Sequence, residues 1–572
     1  MHEDPARPWL AHYPAGIDWN APLPQAPLTD LLDSAVRRWP ALPALEFMGR
    51  VIDYADFGER VDACAAGLQR LGVGPGVHVG LYLPNTPHYA VAFFGVLRAG
   101  GTVVNYSPLD AGRVLADKID DSRTDVLITL DLASLLPQAL RLLDASRLRH
   151  LVIGNLADFS AAPAAVRARL QQAGQLTAWQ ADARRHDFLG LLRHGDAPLR
   201  HPPGDPRSRL AVLQYTGGTT GRPKGAMLTH ANLSAVAEQY YLTSQGTPPA
   251  LAEGAERMLV VLPLFHIYAL SVCLLLGVRL GAHLVLHPRF DADAVVGDLQ
   301  DKRISIFPGV PTMYIAVLQH PRAAELDLRA LKFCGSGGAP LPLEVAERFR
   351  QLTGCPLNEG WGMTETAPGG TFTPLHGLRR PGSCGMPVPG LTASIRALDD
   401  PARALPPGEV GELCVSGPNV MQGYWNAPRA NAEAFTPDGF FRSGDVARMD
   451  ENGCLYIVDR TKDMLLCGGF NVYPRIIEEA IYEHPAVAEA CVIGVPDAYR
   501  GQAPKAFVAL KPGAPPLSLD ELREFLAERV GKHELPAALE LRDSLPKTAV
   551  GKLSKRDLIE QERTAAAAGS RA

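Results

Sequence analysis

The residues best suited to chemistry form one glycine- and threonine-rich stretch, residues 215–225 (YTGGTTGRPKG). It follows residues 210–214, an apolar run that predicts a strand. Glycine lets backbone N–H groups turn towards an anion and lets the anion approach closely. The threonine hydroxyls add hydrogen-bond donors, and Lys224 adds a positive charge. The stretch therefore predicts a loop that binds a polyphosphate.

The pattern differs from the Walker P-loop, in which Ser or Thr follows the lysine and a helix begins at once. Here two residues separate Gly221 from Lys224, and a glycine follows the lysine. The alternative interpretation is a solvated surface loop, which Gly- and Thr-rich stretches also form. The ordered string directly after a strand favours phosphate binding.

Two further motifs could complete a nucleotide site. Residues 335–340 (GSGGAP) place glycines where a flat ring could lie against the backbone. Residues 358–365 (NEGWGMTE) place Trp361 where it could stack on a base and Glu365 where it could bind Mg²⁺. In isolation the same strings are compatible with a turn, a core tryptophan and a surface acid.

Two later motifs could add a ribose contact and a cation. Asp445 ends the string FRSGD, and a carboxylate on a loop can accept two hydrogen bonds from a ribose diol. Residues 545–553 (LPKTAVGKL) carry Lys547 and Lys552 on either side of a flexible Val-Gly pair. Each motif also has an ordinary explanation, because Ser-Gly-Asp is a common turn and a loop lysine is usually solvated.

The elements that must position these residues follow an α/β pattern. Helical periods alternate with short apolar strands through most of the first 334 residues. Such alternation predicts a largely parallel sheet with helices on both faces. From about residue 382, short strands separated by turns predict an antiparallel region, and a compact α+β unit follows it. Residues 155–205 predict a loop-and-helix insertion, and residues 1–25 predict an extended arm.

Composition bounds the class of protein. The chain has 572 residues, enough for two or more domains, and its net charge of −5 does not suggest nucleic-acid binding. Nine cysteines without a Cys-x-x-Cys pair indicate neither a zinc site nor a disulfide framework, so a cytoplasmic setting is expected. Residues 258–278 are apolar enough for a candidate membrane span, but their Pro263, His266 and Gly277 favour a buried segment.

Taken in order, the motifs resemble those of the adenylate-forming superfamily of acyl-CoA synthetases, adenylation domains and luciferases. The resemblance runs along nearly the whole chain and also includes EGWGMTET, DRTKDM and PKTAVGK. Residues 262–270 (LPLFHIYAL), 423–426 (GYWN) and 468–474 (GGFNVYP) most resemble bacterial medium- and long-chain fatty-acid–CoA ligases. Trp361 departs from the family, which usually has Tyr or Phe there; stacking survives this change, but a phenol hydrogen bond does not.

The resemblance implies an α/β fold with a large N-terminal domain of parallel α/β sheets and a β-rich subdomain, and a small, mobile α+β C-terminal domain. It implies an AMP- and acyl-binding domain at residues 1–458, a hinge at 459–462 and a lid at 463–563 that carries the catalytic lysine. Residues 564–572 are expected to form a disordered tail.

The resemblance also implies roles for individual residues. Lys552 would contact the attacking carboxylate and the α-phosphate, and His266 would lie between the acyl pocket and that carboxylate. Thr364 and Glu365 would serve the α-phosphate and Mg²⁺, with Thr220 as a second metal ligand. The residues expected to contact ATP or coenzyme A are Thr216, Gly217, Gly218, Thr219, Thr220, Gly221, Lys224, Gly337, Gly338, Ala339, Glu359, Gly360, Trp361, Asp445, Ile457, Arg460, Lys462, Gly468, Gly469 and Phe470.

The implied reaction has two steps and uses ATP, Mg²⁺ and coenzyme A. A fatty carboxylate attacks the α-phosphorus of ATP to give an acyl adenylate and pyrophosphate, and the coenzyme A thiolate then displaces AMP. The C-terminal domain would rotate between the steps, because Lys552 cannot fill a site that must admit a bulky thiol.

Other functions stay open at this point. An aryl- or dicarboxylate-CoA ligase would use the same scaffold, with an acyl pocket expected near residues 266–270, 309–314 and 337. An adenylation enzyme that loads a carrier protein is less favoured, because no segment with an attachment serine follows Lys552 in this sequence. A non-enzymatic acyl-binding protein is disfavoured by the intact motif set. The expected partners are a fatty acid and coenzyme A, without nucleic acid; peripheral contact with the inner face of the membrane and a homodimer are both compatible with the sequence.

Overall fold

Two seven-stranded sheets organise residues 43–359 of the computed structural model, which describes residues 7–193, 198–199, 204–216, 223–339, 341–467, 470–497, 500–548 and 551–569. In chain order the α-helices are α1 (Thr29–Arg38), α2 (Tyr54–Arg70), α3 (Pro87–Ala99), α4 (Gly112–Asp121), α5 (Leu136–Ala145), α6 (Pro163–Gln172), α7 (Phe188–Leu192), α8 (His230–Thr243), α9 (Ile267–Ala269), α10 (Leu276–Leu280), α11 (Ala292–Asp301), α12 (Pro311–Leu318), α13 (Leu343–Thr353), α14 (Pro428–Ala434), α15 (Pro474–Tyr482), α16 (Leu519–Leu526) and α17 (Lys555–Gly569).

The strands are β1 (Pro43–Phe47), β2 (Arg50–Asp53), β3 (His78–Leu81), β4 (Thr102–Asn105), β5 (Thr124–Leu130), β6 (His150–Gly154), β7 (Arg185–Asp187), β8 (Leu210–Thr216), β9 (Lys224–Thr229), β10 (Arg257–Val260), β11 (His283–Leu286), β12 (Ile306–Gly309), β13 (Phe333–Ser336), β14 (Leu357–Glu359), β15 (Thr371–Phe372), β16 (Met386–Pro387), β17 (Thr392–Arg396), β18 (Val410–Ser416), β19 (Phe441–Met449), β20 (Leu455–Arg460), β21 (Leu465–Cys467), β22 (Phe470–Val472), β23 (Val487–Asp497), β24 (Gly501–Leu510) and β25 (Ala538–Leu541).

The first sheet has the strand order β7-β6-β5-β3-β4-β8-β9 and is parallel except for the last pair. Its central strands are buried, as both faces of a parallel sheet usually are. The β8–β9 hairpin forms one edge, and the phosphate-loop sequence connects its two strands, with residues 217–222 outside the described part of the chain. The insertion predicted at residues 155–205 contributes β7 to the opposite edge, a strand that its weak period did not predict.

The second sheet has the order β14-β13-β12-β10-β11-β1-β2 and is parallel except for β1 and β2. Gly309, Ser336 and Glu359 end β12, β13 and β14 and lie side by side in the register. Ligands bind outside the carboxyl ends of strands in such sheets. The topology therefore brings the two predicted adenine motifs to one edge.

The rest of the chain is richer in antiparallel pairing. Strands β17, β18, β19 and β20 form an antiparallel sheet, and β21 to β25 form a five-stranded sheet with α15, α16 and α17. The predicted α/β class, with a β-rich part and a C-terminal α+β unit, is confirmed. Helix α17 continues through residue 569, so residues 564–569 are helical where disorder was predicted; their run of alanines has high helix propensity.

Burial divides the described chain into separate cores. One cluster of buried side chains runs from Trp9 to Leu455, and two smaller clusters lie between Leu465 and Leu558. The prediction of an extended N-terminal arm is wrong for residues 7–25, because Trp9 is fully buried and its ring centroid lies 6.3 Å from that of Trp19. Two large aromatic side chains give this segment enough apolar area to pack.

The apolar run at residues 258–278 is a buried segment of the second sheet and its helices. It contains β10, α9, α10 and a π-helix at Leu270–Leu275. In the part of the chain that the structure describes, no helix has the length and apolar character needed to cross a bilayer.

Candidate active site

A cavity of about 2010 Å³ opens where the edges of the two large sheets meet the C-terminal sheet. Its walls carry all the described candidate residues except Phe470, whose backbone begins β22. These are Thr216, Lys224, His266, Gly337, Gly338, Ala339, Glu359, Gly360, Trp361, Thr364, Glu365, Asp445, Ile457, Arg460, Lys462 and Lys552. The candidates that lie outside the described residues are Gly217, Gly218, Thr219, Thr220, Gly221, Gly468 and Gly469.

The base of the predicted phosphate loop is closed by strand pairing. Thr216 lies opposite Lys224 in the β8–β9 register, and the Thr216 hydroxyl donates to the Lys224 carbonyl at 3.4 Å. The Lys224 side chain is exposed, and its Nζ lies 5.0 Å from the centroid of the Tyr424 ring. This distance is within the range of a cation–π contact.

The adenine motifs form a narrow wall at the ends of β13 and β14. A Cβ on Gly337 would lie 2.9 Å from Cζ of Tyr268, too close for any side chain there. The Tyr268 hydroxyl donates to the Gly335 carbonyl at 3.3 Å. The glycines thus let Tyr268 pack against the backbone at the edge of the second sheet.

Trp361 and Asp445 are joined directly. The indole Nε1 donates to Asp445 Oδ2 at 2.7 Å, and Asp445 Oδ1 lies 3.3 Å from Arg460 Nε. Asp445 is 6% exposed and lies opposite Arg460 in the β19–β20 register. Trp361 cannot make the phenol hydrogen bond of the tyrosine that the family often has at this position, but its indole N–H bonds Asp445 instead. Each carboxylate oxygen keeps a lone pair for a ligand hydroxyl.

Glu365 presents a buried carboxylate to the cavity. Its Oε1 accepts a hydrogen bond from the Tyr424 hydroxyl at 2.7 Å, and Glu365 lines the cavity. Burial raises the pKa of this carboxyl, and the hydrogen bonds from Tyr424 and from its own backbone N–H oppose the rise. A buried carboxylate that faces a cavity is a suitable ligand for a hard cation.

Glu359 lies where the large core meets the C-terminal unit. Its Oε1 lies 3.8 Å from Arg475 Nη2 at the start of α15. Burial raises the pKa of the Glu359 carboxyl to about 7, although the charge of Arg475 acts in the opposite direction. Arg475 was not a candidate from sequence, since no local motif marks it.

His266 caps the short helix α9 through its ring. Nδ1 accepts a hydrogen bond from the Tyr268 N–H at 3.2 Å, so the neutral ring carries its proton on Nε2. Burial, and next the charge of Lys552, lowers the pKa of His266 to about 3. At neutral pH the ring is therefore uncharged and can donate a hydrogen bond from Nε2 into the cavity.

Lys552 reaches the same cavity from the C-terminal unit. It ends a tight turn in which Gly551 has φ +79°, and Thr548 N–H donates to the Lys552 carbonyl at 2.7 Å. The Thr312 hydroxyl donates to the Gly551 carbonyl at 3.1 Å, which fixes the turn against α12. Burial, and next the charge of Arg460, lowers the pKa of the Lys552 ammonium to about 8, against the effect of Asp445.

The absence of a side chain at Gly338 leaves room for the end of the Lys552 side chain. Its φ is +79°, and a Cβ there would lie 2.4 Å from Lys552 Cε and 2.7 Å from Nζ. Any other residue would strain the backbone at this φ and would displace the end of the Lys552 side chain. The lysine from the C-terminal unit and the glycine wall therefore form one surface.

The far end of the cavity is apolar with a few hydroxyls. It is lined by Tyr240, Thr243, Ser244, Leu251, Val272 and Leu276. Sequence reasoning placed the acyl pocket near residues 266–270, 309–314 and 337, and missed this set. The residues come from α8, the loop after it and the π-helix region, and they share no local motif.

The geometry is thus that of an α/β protein in which two parts of the chain share one cavity, lined by the residues predicted to bind a nucleotide. A family model described as AMP-binding enzyme matches residues 32–425, and one described as AMP-binding enzyme C-terminal domain matches residues 476–552. A long-chain-fatty-acid–CoA ligase of Bacillus subtilis (strain 168) is 39% identical over 97% of this chain and 98% of its own length.

Solved structures agree with these matches. The anthranilate CoA ligase AuaEII in complex with anthranoyl-AMP gives a TM-score of 0.82 at 25% identity, with 95% of this chain and 99% of that one covered. ATP-bound MatB from Rhodopseudomonas palustris gives 0.79 at 28% identity, covering 93% and 98%. The chain belongs to the AMP-binding enzyme family, which confirms the superfamily resemblance seen in the motifs.

Proposed function

We propose that this chain is an ATP-dependent fatty-acid–CoA ligase that makes an acyl adenylate and then an acyl-CoA. The observation that carries the proposal is the position of Lys552, which packs against Gly338 between the nucleotide residues and an apolar end of the same cavity. A carboxylate held at this junction would have the apolar chain on one side and ATP on the other. Similarity to the Bacillus subtilis ligase supports a long acyl chain.

In the first step a carboxylate oxygen forms a bond to the α-phosphorus while the bond to pyrophosphate breaks. Negative charge on the phosphoryl oxygens would be stabilised by Lys552, which is held in position by its turn and by Thr312. The neutral His266 would donate from Nε2 to the carboxylate and orient it. Asp445 would hold the ribose diol and Trp361 would stack on the base.

Mg²⁺ would be held by Glu365 together with ATP phosphates. Within the described residues, no three His, Cys, Asp or Glu side chains cluster to hold a metal ion. That arrangement suits Mg²⁺, which usually keeps waters and binds through one or two carboxylates plus substrate phosphates. When bound, Mg²⁺ offsets phosphate charge. Thr220 as a second ligand stays a prediction.

In the second step the coenzyme A thiolate attacks the acyl carbon and AMP leaves. We propose that residues 463–563 form a lid that rotates about a hinge at 459–462, away from a domain at 1–458, with the Gly468–Gly469 segment then facing the thiol. The separate cores on either side of residues 456–464 support this division, as does the exposed Lys462 in the junction. Rotation would withdraw Lys552 and open a path for the thiol.

A second candidate is an aryl- or dicarboxylate-CoA ligase on the same scaffold. The tyrosines Tyr240 and Tyr268 line the acyl part of the cavity, and the anthranilate ligase supports an aromatic acid. Pyrophosphate release should be measured with saturated C8 to C18 acids, benzoate, 4-hydroxycinnamate and malonate, with and without coenzyme A. The proposal expects release with the fatty acids and AMP formation at full rate only with coenzyme A. A preference for an aromatic acid or malonate would favour the second candidate, and no acid-dependent release would exclude both.

The proposal includes peripheral contact with the inner face of the membrane, because long-chain acids partition into bilayers. Co-sedimentation with anionic vesicles, with and without oleate, tests this contact. Size-exclusion chromatography with light scattering on the same sample tests the homodimer.

A further inference from the structure

One phenol ring lies between the loop lysine and the buried carboxylate of the site. The Tyr424 hydroxyl donates to Glu365 Oε1 at 2.7 Å, and the face of its ring lies 5.0 Å from Lys224 Nζ. Tyr424 itself lines the cavity. Lys224 begins β9, whereas Glu365 lies in a short 3-10 helix (Thr364–Thr366) after β14, so the Tyr424 side chain is a physical link between two distant motifs.

The backbone around Tyr424 is fixed independently of its side chain. Residues 421–425 run between the two halves of the site: Trp425 N–H donates to the Gly225 carbonyl at 2.8 Å, and Met421 N–H donates to the Glu365 carbonyl at 2.8 Å. The Asn431 side chain accepts from Tyr424 N–H at 2.6 Å and donates to its carbonyl at 2.9 Å. Shortening or altering the Tyr424 side chain therefore leaves the segment anchored.

From this geometry we infer that Tyr424 is a positioning residue that orients Glu365 for Mg²⁺ and Lys224 for the phosphates before ATP binds. Its hydroxyl bonds one carboxylate oxygen of Glu365, Oε1, and this bond would turn the other oxygen towards the metal. Its ring restrains the long, exposed lysine side chain, which would otherwise lose more conformational entropy on binding a phosphate. A group held in place before binding contributes more affinity than a mobile one.

The inference rests on the proposed use of Mg²⁺ and ATP but not on the identity of the acid. Its test is equilibrium dialysis of the full chain with radiolabelled ATP and no acid, across a Mg²⁺ titration and in EDTA. If the unaltered protein failed to bind ATP, the proposed function would be wrong. An aromatic instead of a fatty substrate would leave the dialysis result unchanged.

Two variants separate the two contacts of the ring. Tyr424→Phe removes only the hydroxyl, so we expect ATP affinity in EDTA to stay within about twofold while the half-saturating Mg²⁺ concentration rises about tenfold. Tyr424→Leu also removes the aromatic face, and we expect ATP binding in EDTA to weaken about fivefold. Thioester formation from synthetic acyl adenylate should stay within about twofold for Tyr424→Phe, because that step uses neither pyrophosphate nor its metal.

Tyr456 offers a matched control outside the cavity lining. Its hydroxyl donates to Asp450 at 3.1 Å, and Arg448 covers its ring at 4.0 Å from the centroid. Tyr456→Phe therefore loses the same kind of bond, and the Mg²⁺ requirement should stay the same. The inference is overturned if Tyr424→Phe leaves the half-saturating Mg²⁺ concentration unchanged. It is equally overturned if ATP binding falls by the same factor with and without Mg²⁺, since that would be a general structural loss.

Discussion

The end of the cavity that we assign to the nucleotide is lined by charged side chains and strand-end glycines. The end that we assign to the acyl chain is lined by apolar and hydroxyl-bearing side chains of α8 and the segment after β10. At the nucleotide end, several candidates have a defined partner, such as Asp445 with Trp361 and Glu365 with Tyr424. At the acyl end the side chains make mainly packing contacts. Directional groups at one end suit an invariant nucleotide, and a shaped apolar wall at the other suits a variable chain.

Because of this difference, we expect substitutions that alter the reaction with ATP to be distinct from substitutions that alter the choice of acid. Changes at the nucleotide end should alter adenylate formation with every acid alike. Changes at the acyl end should reorder the acids and leave ATP use intact. Lys552, at the junction, should affect the chemistry most.

Lys552→Ala should have the largest effect on adenylate formation. Removing the ammonium takes away a fixed charge from the site where phosphoryl charge develops, and we expect acid-dependent pyrophosphate release to fall roughly 10³-fold. Thioester formation from synthetic acyl adenylate should stay within about threefold of the unaltered protein. Lys547→Ala is the control, because Lys547 belongs to the same turn but pairs with Glu489 at 2.5 Å. Equal loss in both half-reactions would contradict the rotation of the lid.

Lys224→Ala tests the other charged group of the nucleotide end. We expect the rate of adenylate formation at limiting ATP to fall roughly 50-fold, since a charge-assisted phosphate contact contributes about 1.5–3 kcal/mol. The synthetic-adenylate step should be unaffected because pyrophosphate has already left. Lys532→Ala, at an exposed lysine of the C-terminal unit, controls for charge. A matching fall in both steps would mean that Lys224 does more than hold the leaving group.

The pH dependence of the two steps should diverge. Lys552 acts as a cation and its pKa is lowered to about 8, so its charged fraction is complete below pH 7 and is lost as pH rises through 8. We expect pyrophosphate release to fall about tenfold per pH unit above that value. Acyl transfer to coenzyme A should rise over the same range as the thiolate fraction grows. A pH-independent first step between pH 7 and 9.5 would contradict the need for the charge.

The sequence motifs predicted the parts of this site that follow strand ends. Thr216 and Lys224 on either side of the phosphate-loop sequence, the glycines after β13, and the carboxylates of Glu365 and Asp445 all line one cavity. The α/β class follows because helical and strand periods alternate over long stretches. The sequence did not predict helices α4 and α5 or strands β2 and β7, because short elements depend more on tertiary packing than on the hydrophobic period of their own residues.

Contacts between distant motifs could not be predicted in the same way. The string GSGGAP does not predict that Gly338 leaves room for the Lys552 side chain. The string FRSGD does not predict that Asp445 accepts a hydrogen bond from Trp361. These pairs exist only once the sheets have placed the strand ends together. The acyl lining is harder still, because Tyr240, Leu251 and Val272 share only a position in space. We therefore expect the accepted length of the acyl chain to depend on side-chain volume at a few scattered positions.

Val272→Phe makes that dependence measurable and should have the smallest effect of the four changes. The larger side chain would occupy part of the acyl end, and a misfit of roughly 1 kcal/mol corresponds to about a fivefold loss with C16 and C18 acids. Octanoate should be used at close to the original rate, and the KM for ATP should not move. Val272→Ile adds a single methylene and should give a weaker shift in the same direction. An equal loss of rate with every acid, or a change in the KM for ATP, would show that the two ends of the cavity are not independent. The division between directional contacts to the nucleotide and packing contacts to the acyl chain would then be wrong.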